Sequence, residues 1–281
     1  MKKLKQWRGL AFVLPSLIGI IIFYLGPFVL SLMYCVTSGV KEKKFIGLNN
    51  FIALFHNDAY KLAVKNTIHI IGLGILIVCI SAFIIALVIE ENLRKYRFLQ
   101  CIVLIPMAIP TASMMLVWQD LFKEGGILNI LMGQSIDFLD THYATYIIVG
   151  IIVWKNVGYA ILLMTSTLLT LPNEYVEAAR LEGASWYQIT LHIKVPQIVP
   201  MLFFMVIISL WNSFKIFREV YLLQGDYPNE ELYMLQHFMN NNFVNLNYQM
   251  ITTAAFTMYI VIFVMIGLAS KWQQRYKESI F

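Results

Sequence analysis

The sequence predicts an all-α membrane protein with six transmembrane helices, and three observations carry that prediction. Of its 281 residues, 59% are hydrophobic and only 13% charged, about half the charge usual in a soluble domain. Six apolar runs, at about 11–37, 66–89, 98–119, 144–170, 198–223 and 249–270, reach the ~20 residues a helix needs to cross a bilayer. Each run is continuous, whereas the strands of a membrane barrel would be short and alternating.

Taken in order, the first run follows MKKLKQWR and is uncharged from Gly9 to Val40. A secretory signal has an apolar region of about 7–15 residues and a small-residue cleavage site; this run is longer and lacks the site, so it reads as a retained anchor. Runs one and three carry Pro15, Gly19, Gly26, Pro27, Pro106 and Pro110, which either loosen those helices or reflect ordinary membrane-helix usage. Run four holds Lys155, and run five holds Lys215, Arg218 and Glu219 towards its end. Cys35, Cys79 and Cys101 lie in or beside apolar runs without metal-ligand spacing and are expected to be small buried hydrophobes.

Orientation follows from Lys and Arg in the connecting segments, which concentrate on the cytoplasmic side. With both termini inside, the inner segments hold twelve of these residues and the outer ones six, the latter with most of the loop acids. The net charge of +5 thus belongs to membrane topology, and no nucleic-acid partner is expected. The segment 171–197 between runs four and five falls in the cytoplasm.

That segment, with EAARLEGASWYQITLHIKVP at its centre, is a polar island. Leu171-Pro172 ends span four, and Asn173 is placed to cap a new helix. Gly183 can adopt the left-handed conformation that ends it, and Ser185-Trp186-Tyr187-Gln188 has the form of a capping box opening a second helix. Val195-Pro196 should break that helix before span five. An amphipathic loop on the membrane surface, a helix-turn-helix and a docking element for a partner are the competing readings. The membrane flanks argue against the DNA-binding one.

The island resembles the EAA loop of ATP-binding-cassette importer permeases, through Glu177, Ala178, Ala179 and Gly183, a hydrophobic Ile193, and Val195-Pro196 in place of Leu-Pro. The chain is similar to the carbohydrate-type permeases over nearly its full length: GLNNF (Gly47–Phe51), GGILN (Gly125–Asn129) and SFKIFREVYLLQGDYP (Ser213–Pro228) match their pattern, more loosely after Pro228. The resemblance implies a single transmembrane permease domain over 1–281 in the bacterial cytoplasmic membrane. It implies an EAA-type coupling helix docking through Glu177, Ala178, Ala179, Gly183 and Pro196 onto two copies of a P-loop ATPase. A second, homologous permease and an extracytoplasmic binding protein would complete the machine, and the solute would be a sugar or oligosaccharide, or a polyol phosphate or acidic sugar. The sequence has no G-x-x-x-x-G-K-[ST] loop, so ATP and Mg²⁺ are expected on the partner, with no cofactor, metal or catalytic residue in this chain.

Charges inside a membrane are expensive and mark function by default. Lys155, Asn156, Tyr159, Trp211, Asn212 and Lys215 are therefore candidates for the solute path, with Trp118 and Trp154 as further aromatic contacts. Lys155 has no partner nearby in sequence; snorkelling, pairing across helices and lining an aqueous cavity stay open. Lys215 and Glu219 are spaced to pair with each other at i,i+4. A secondary transporter would be expected to show inverted repeats, and no repeat is evident. Nor do the spans carry an H-E-x-x-H, a G-x-S-x-G or paired carboxylates, which argues against a membrane enzyme.

Overall fold

The computed structural model of the protein describes residues 12–39, 44–91 and 93–280. Among the described residues, five continuous helices are long and apolar enough to cross a membrane: Phe12–Val36, Asp58–Glu91, Ala144–Leu168, Trp186–Gln224 and Tyr248–Arg275. A sixth span exists if the pair Cys101–Ala108 and Thr111–Met132, bent by 95°, counts as one. These are called spans one, two, four, five, six and three in the order given.

Three expectations need correction, each for a local reason. The third run is not one helix: Pro110 is extended, with ψ 129°, because it cannot donate to the helix and biases Ile109 away from helical torsions. Span two starts at Asp58 and not near 66, since its first turns are polar. The Asn57 side chain accepts the Tyr60 N–H at 3.0 Å, and Asp58 pairs with Lys61 at 2.8 Å, so the helix outruns its apolar stretch. Pro196 does not break the helix of the island, which continues into span five. A π turn at Thr190–Lys194 precedes the proline, and the Val195 N–H bonds the Thr190 carbonyl five residues back. Span one repeats the device: a π turn at Ile21–Leu25, closed by Gly26 N–H on the Ile21 carbonyl, stands just before Pro27. An i→i+5 turn lets the chain pass a residue that can neither donate nor fit the regular ladder.

The chain forms two compact units. The first comprises Met1–Lys61 with Phe238–Val264. In it Thr37–Ser38 pairs antiparallel with Lys44–Phe45, followed by a short helix, Asn49–His56. Asn50 reaches back from that helix, its amide donating to the carbonyls of Tyr34, Cys35 and Thr37 at 3.0–3.2 Å. It thereby satisfies orphan acceptors at the end of span one. Aromatic pairs, Phe51 with Phe256 and Phe28 with Tyr259, pack the unit.

The second unit comprises Leu62–His237 with Met265–Phe281, and span four is its axis. Half of span four's apolar window is buried, against 0% for span one, and this places the core around it. Its first half packs Ile148, Ile151 and Ile152 against Met115, Ile216 and Val220. Its second half packs Ile161, Met164 and Leu168 against Val78, Ala82, Ile198 and Met205. At Gly158 a Cβ would lie 1.9 Å from the Val103 carbonyl oxygen, so only glycine permits this approach of helix Leu93–Ala108. Of the cysteines, Cys35 is buried and Cys79 half-buried, but Cys101 is exposed, against expectation, because none of the described elements covers its face.

Candidate functional site

The island between spans four and five begins as a nine-residue helix, Asn173–Leu181. Its cap position is Pro172, without a side-chain cap, so Asn173 is the first helical residue and not the cap. Glu174 lies in its first turn and Arg180 in its last, both favourable to the helix dipole. Gly183 has φ +86° and completes a Schellman ending. The Gly183 N–H bonds the Arg180 carbonyl at 3.0 Å, and the Ala184 N–H that of Ala179 at 2.9 Å. Two residues on, Ser185 and Gln188 form a reciprocal capping box, which satisfies two orphan donors at the start of the second helix. Turn and cap chemistry thus fix the angle between the two helices at a single glycine.

What the first helix displays is accessible. Glu177 and Ala178 are exposed, Ala179 is half-buried and Leu181 is 90% exposed. A groove of about 420 Å³ runs between the two helices, lined by Ala179, Glu182, Gly183, Gln188 and His192 among others. Pro196 is half-buried at the root of span five and lines no part of this groove.

Inside the spans, Lys155 settles among its three options by pairing across helices. Its ammonium donates to Thr111 Oγ1 at 2.9 Å and to the Glu219 carboxylate. The Glu219 side chain is only 2% exposed and that of Lys155 26%. The expected Lys215–Glu219 pair is not formed. Glu219 points into the core, where a buried carboxylate needs a cation, and Lys215 stays exposed with a long 3.4 Å bond to Asn212. The Tyr159 hydroxyl meets Ser209 Oγ at 2.7 Å, and the two form a buried polar contact between spans four and five. Asn156 donates to the Ile152 carbonyl of its own helix at 2.8 Å. Trp211 is 72% exposed.

The structure therefore links Lys155 to span five, and Tyr159 to the Ser209 turn that carries Asn212. Asn156 is spent on its own helix, and Trp211 faces outward. Trp118 and Trp154 pack edge to face at 5.6 Å, and Trp118 also lines a cavity of about 810 Å³ with Phe122, Tyr143 and Tyr146.

Roles that sequence reasoning does not assign fall to residues at the helix junctions. Asn129 is 1% exposed and ties its loop through Lys123 O, Ile136 O and Ile136 N at 2.7–2.9 Å. Glu90 and Glu91, at the end of span two, engage Lys194 and Trp186 of the island. Two adjacent acids closing a span, where cations are the rule, are the available signal.

A family model described as "Binding-protein-dependent transport system inner membrane component" matches residues 80–279. The chain is 30% identical over 240 residues to "Probable ABC transporter permease protein YurN" of Bacillus subtilis, covering 81% of this chain and 82% of that one. It is 30% identical over 221 residues to the sn-glycerol-3-phosphate transport system permease protein UgpA of Escherichia coli O157:H7, covering 74% of each. Its fold is similar to that in the crystal structure of a bacterial ABC transporter involved in import of the acidic polysaccharide alginate, with a TM-score of 0.83 at 22% identity and 98% of both chains covered.

Proposed function

The chain belongs to the binding-protein-dependent transport system inner membrane component family, and from that premise we propose that it forms half of the translocation path for a sugar or oligosaccharide. In this reading both termini and the island are cytoplasmic in a bacterial inner membrane. The island is the surface through which a separate P-loop ATPase, present in two copies with its ATP and Mg²⁺, drives the spans. A homologous permease supplies the other half of the path, and a binding protein delivers the solute. The observation that carries the reading is the island's geometry. A helix with exposed Glu177, Ala178 and Leu181 is joined through the Gly183 turn, at a fixed angle, to a second helix that is continuous with span five.

The chemistry assigned to this chain is mechanical. Glu177 offers a charged contact, Ala178 and Ala179 allow close approach, and Gly183 sets the angle. Closure of the ATPase pair shifts a two-state equilibrium between inward- and outward-open arrangements. In span five, Asn212 and Lys215 present polar groups, and Trp211 a broad exposed ring, suited to a sugar's hydroxyls and C–H faces.

A second reading, import of a polyol phosphate or an acidic sugar, is favoured by one observation: the cation of Lys215 is exposed because Glu219 is taken by Lys155. Lys155, neutralised in that pair, no longer motivates it. Loss of uptake of sn-glycerol 3-phosphate in Lys215→Gln, with a neutral disaccharide unaffected, would favour the second reading; the reverse would favour the first.

The test of the whole is affinity purification of the tagged chain from native membranes, with mass spectrometry of what accompanies it. A P-loop ATPase and a second permease are expected, the ATPase being lost in a Glu177→Ala, Gly183→Asp double variant. A folded, abundant chain recovered alone would overturn the assignment.

A further inference from the structure

We propose that the island is clamped to span two as well as fused to span five, so that the coupling surface moves both spans as one body. The proposal rests on the reading of the island as the ATPase contact. Glu90 and Glu91 close span two. The Lys194 ammonium donates to Glu90 Oε2 at 2.5 Å across 104 residues of sequence, and the Trp186 indole N–H donates to Glu91. Trp186 is the first residue after the Ser185 cap, and Lys194 is the last residue of the π turn.

The π turn explains how one helix face serves both contacts. Eight residues apart on a regular α-helix, two side chains lie about 80° apart around the axis. A turn of wider winding over Thr190–Lys194 carries Lys194 back towards the side of Trp186. Ile189 and Thr190, on the turn between them, are buried at 4% and 7% exposure. The same turn lets the helix run on through Pro196.

An exposed ion pair would be a weak link, but this one is not exposed. The Lys194 side chain is 3% accessible and that of Glu90 20%. Parting the island from span two would separate two charges that are held largely out of water, a costlier step than breaking an exposed pair. The indole–carboxylate bond adds a second attachment one residue along. Lys194 and Glu90, with Trp186 and Glu91, are therefore positioning residues: they touch no solute, but they transmit the island's displacement to a helix that the sequence places two spans away.

The test measures a distance in the complete complex, purified with its co-recovered ATPase subunits and placed in lipid nanodiscs. Cys35, Cys79 and Cys101 are replaced, and spin labels are attached at Val88→Cys on span two and Tyr187→Cys on the island, both exposed sites. The distance is read without nucleotide and after trapping with ATP, Mg²⁺ and vanadate. Motion as one body predicts a shift below about 2 Å, whereas relative sliding by a helix turn would give about 5 Å and overturn the clamp. In Lys194→Met with Glu90→Gln, the distribution should broaden and the trapped-state shift appear; an unchanged distribution would also overturn the proposal. If that variant does not accumulate, Trp186→Phe removes only the donor to Glu91 from a half-exposed site, and the same broadening, in smaller degree, is required. A wild-type chain that recovers no ATPase would overturn the island's assignment itself, and the clamp's coupling role with it.

Discussion

Lys155 and Glu219, 64 residues apart, form an ion pair that joins the middle of span four to the helix that ends span five. Thr111, the first residue after the break at Pro110, shares the same ammonium. One cation thus pins three segments. Lys155→Met leaves the Glu219 carboxylate, 2% exposed, without its cation and should destabilise the chain by about 3–5 kcal/mol. Glu219→Gln leaves an ammonium that is 26% exposed and should cost less, and replacing both by apolar residues should restore most of the loss. Thermal unfolding of the detergent-solubilised single and double variants measures this. Additive losses in the double variant would refute the pairing.

Gly158 is the second point at which helices meet without tolerance. A methyl group there would lie 1.9 Å from the Val103 carbonyl oxygen, a backbone atom that no side-chain rotation can move away. Gly158→Ala is expected to cost about 1–3 kcal/mol or more by overpacking and to lower the folded yield, while Gly150→Ala, with open space around it, should be neutral. Equal folded yields, judged by size-exclusion chromatography, would refute the close approach.

These two sites show what a sequence can and cannot reveal. Hydropathy places the spans because burial in lipid demands continuous apolar runs, and the island's glycine turn and capping box are readable because local hydrogen bonds define them. The break at Pro110 and the continuation through Pro196 are not readable: the same residue type ends one helix and is absorbed by a π turn in another, depending on the turn before it. The partner of Glu219 is misread from sequence because i,i+4 spacing is visible there, whereas a contact over 64 residues exists only after packing. Glu90 and Glu91 escape notice for the same reason.

Two asparagines in the family-like stretches GLNNF and GGILN hold loops. Asn129 exchanges three hydrogen bonds with Lys123 and Ile136 at 1% exposure, and Asn50 gathers three carbonyls at the end of span one. Each truncation to alanine leaves part-buried partners unsatisfied, at up to about 1–3 kcal/mol per group that water does not reach. Asn129→Ala, the more buried, should therefore cost more than Asn50→Ala. Comparing the two melting temperatures checks the order, and equal values would contradict it.

At Gly183 the constraint is purely conformational, since a Cβ added there would meet no atom within 4 Å, yet φ is +86°. Gly183→Ala should cost about 1–2 kcal/mol of local strain and Gly183→Asn less, because asparagine tolerates the left-handed region. Recovery of the ATPase with the tagged chain should fall in the order Gly, Asn, Ala. If alanine and asparagine behaved alike, side-chain chemistry and not backbone angle would be at stake.

His237 supplies the pH dependence. It is 0% exposed, its Nδ1 accepts the Met234 N–H at 3.2 Å, and the Phe217 ring packs edge-on at 4.8 Å. Burial pushes its pKa from 6.5 down to about 4, although the charge of Asp226 pulls the other way. The folded state therefore favours the neutral ring. The stabilisation is complete above pH 6.5, the unfolded value, and is lost as pH falls towards 4, because the unfolded chain takes up the proton first. Amide exchange in the helix Leu235–Val244 should accelerate, beyond the intrinsic pH effect, between about pH 6.5 and 4. His237→Phe should remove that acceleration. Identical pH profiles for the two proteins would show that another group sets the acid sensitivity of this segment.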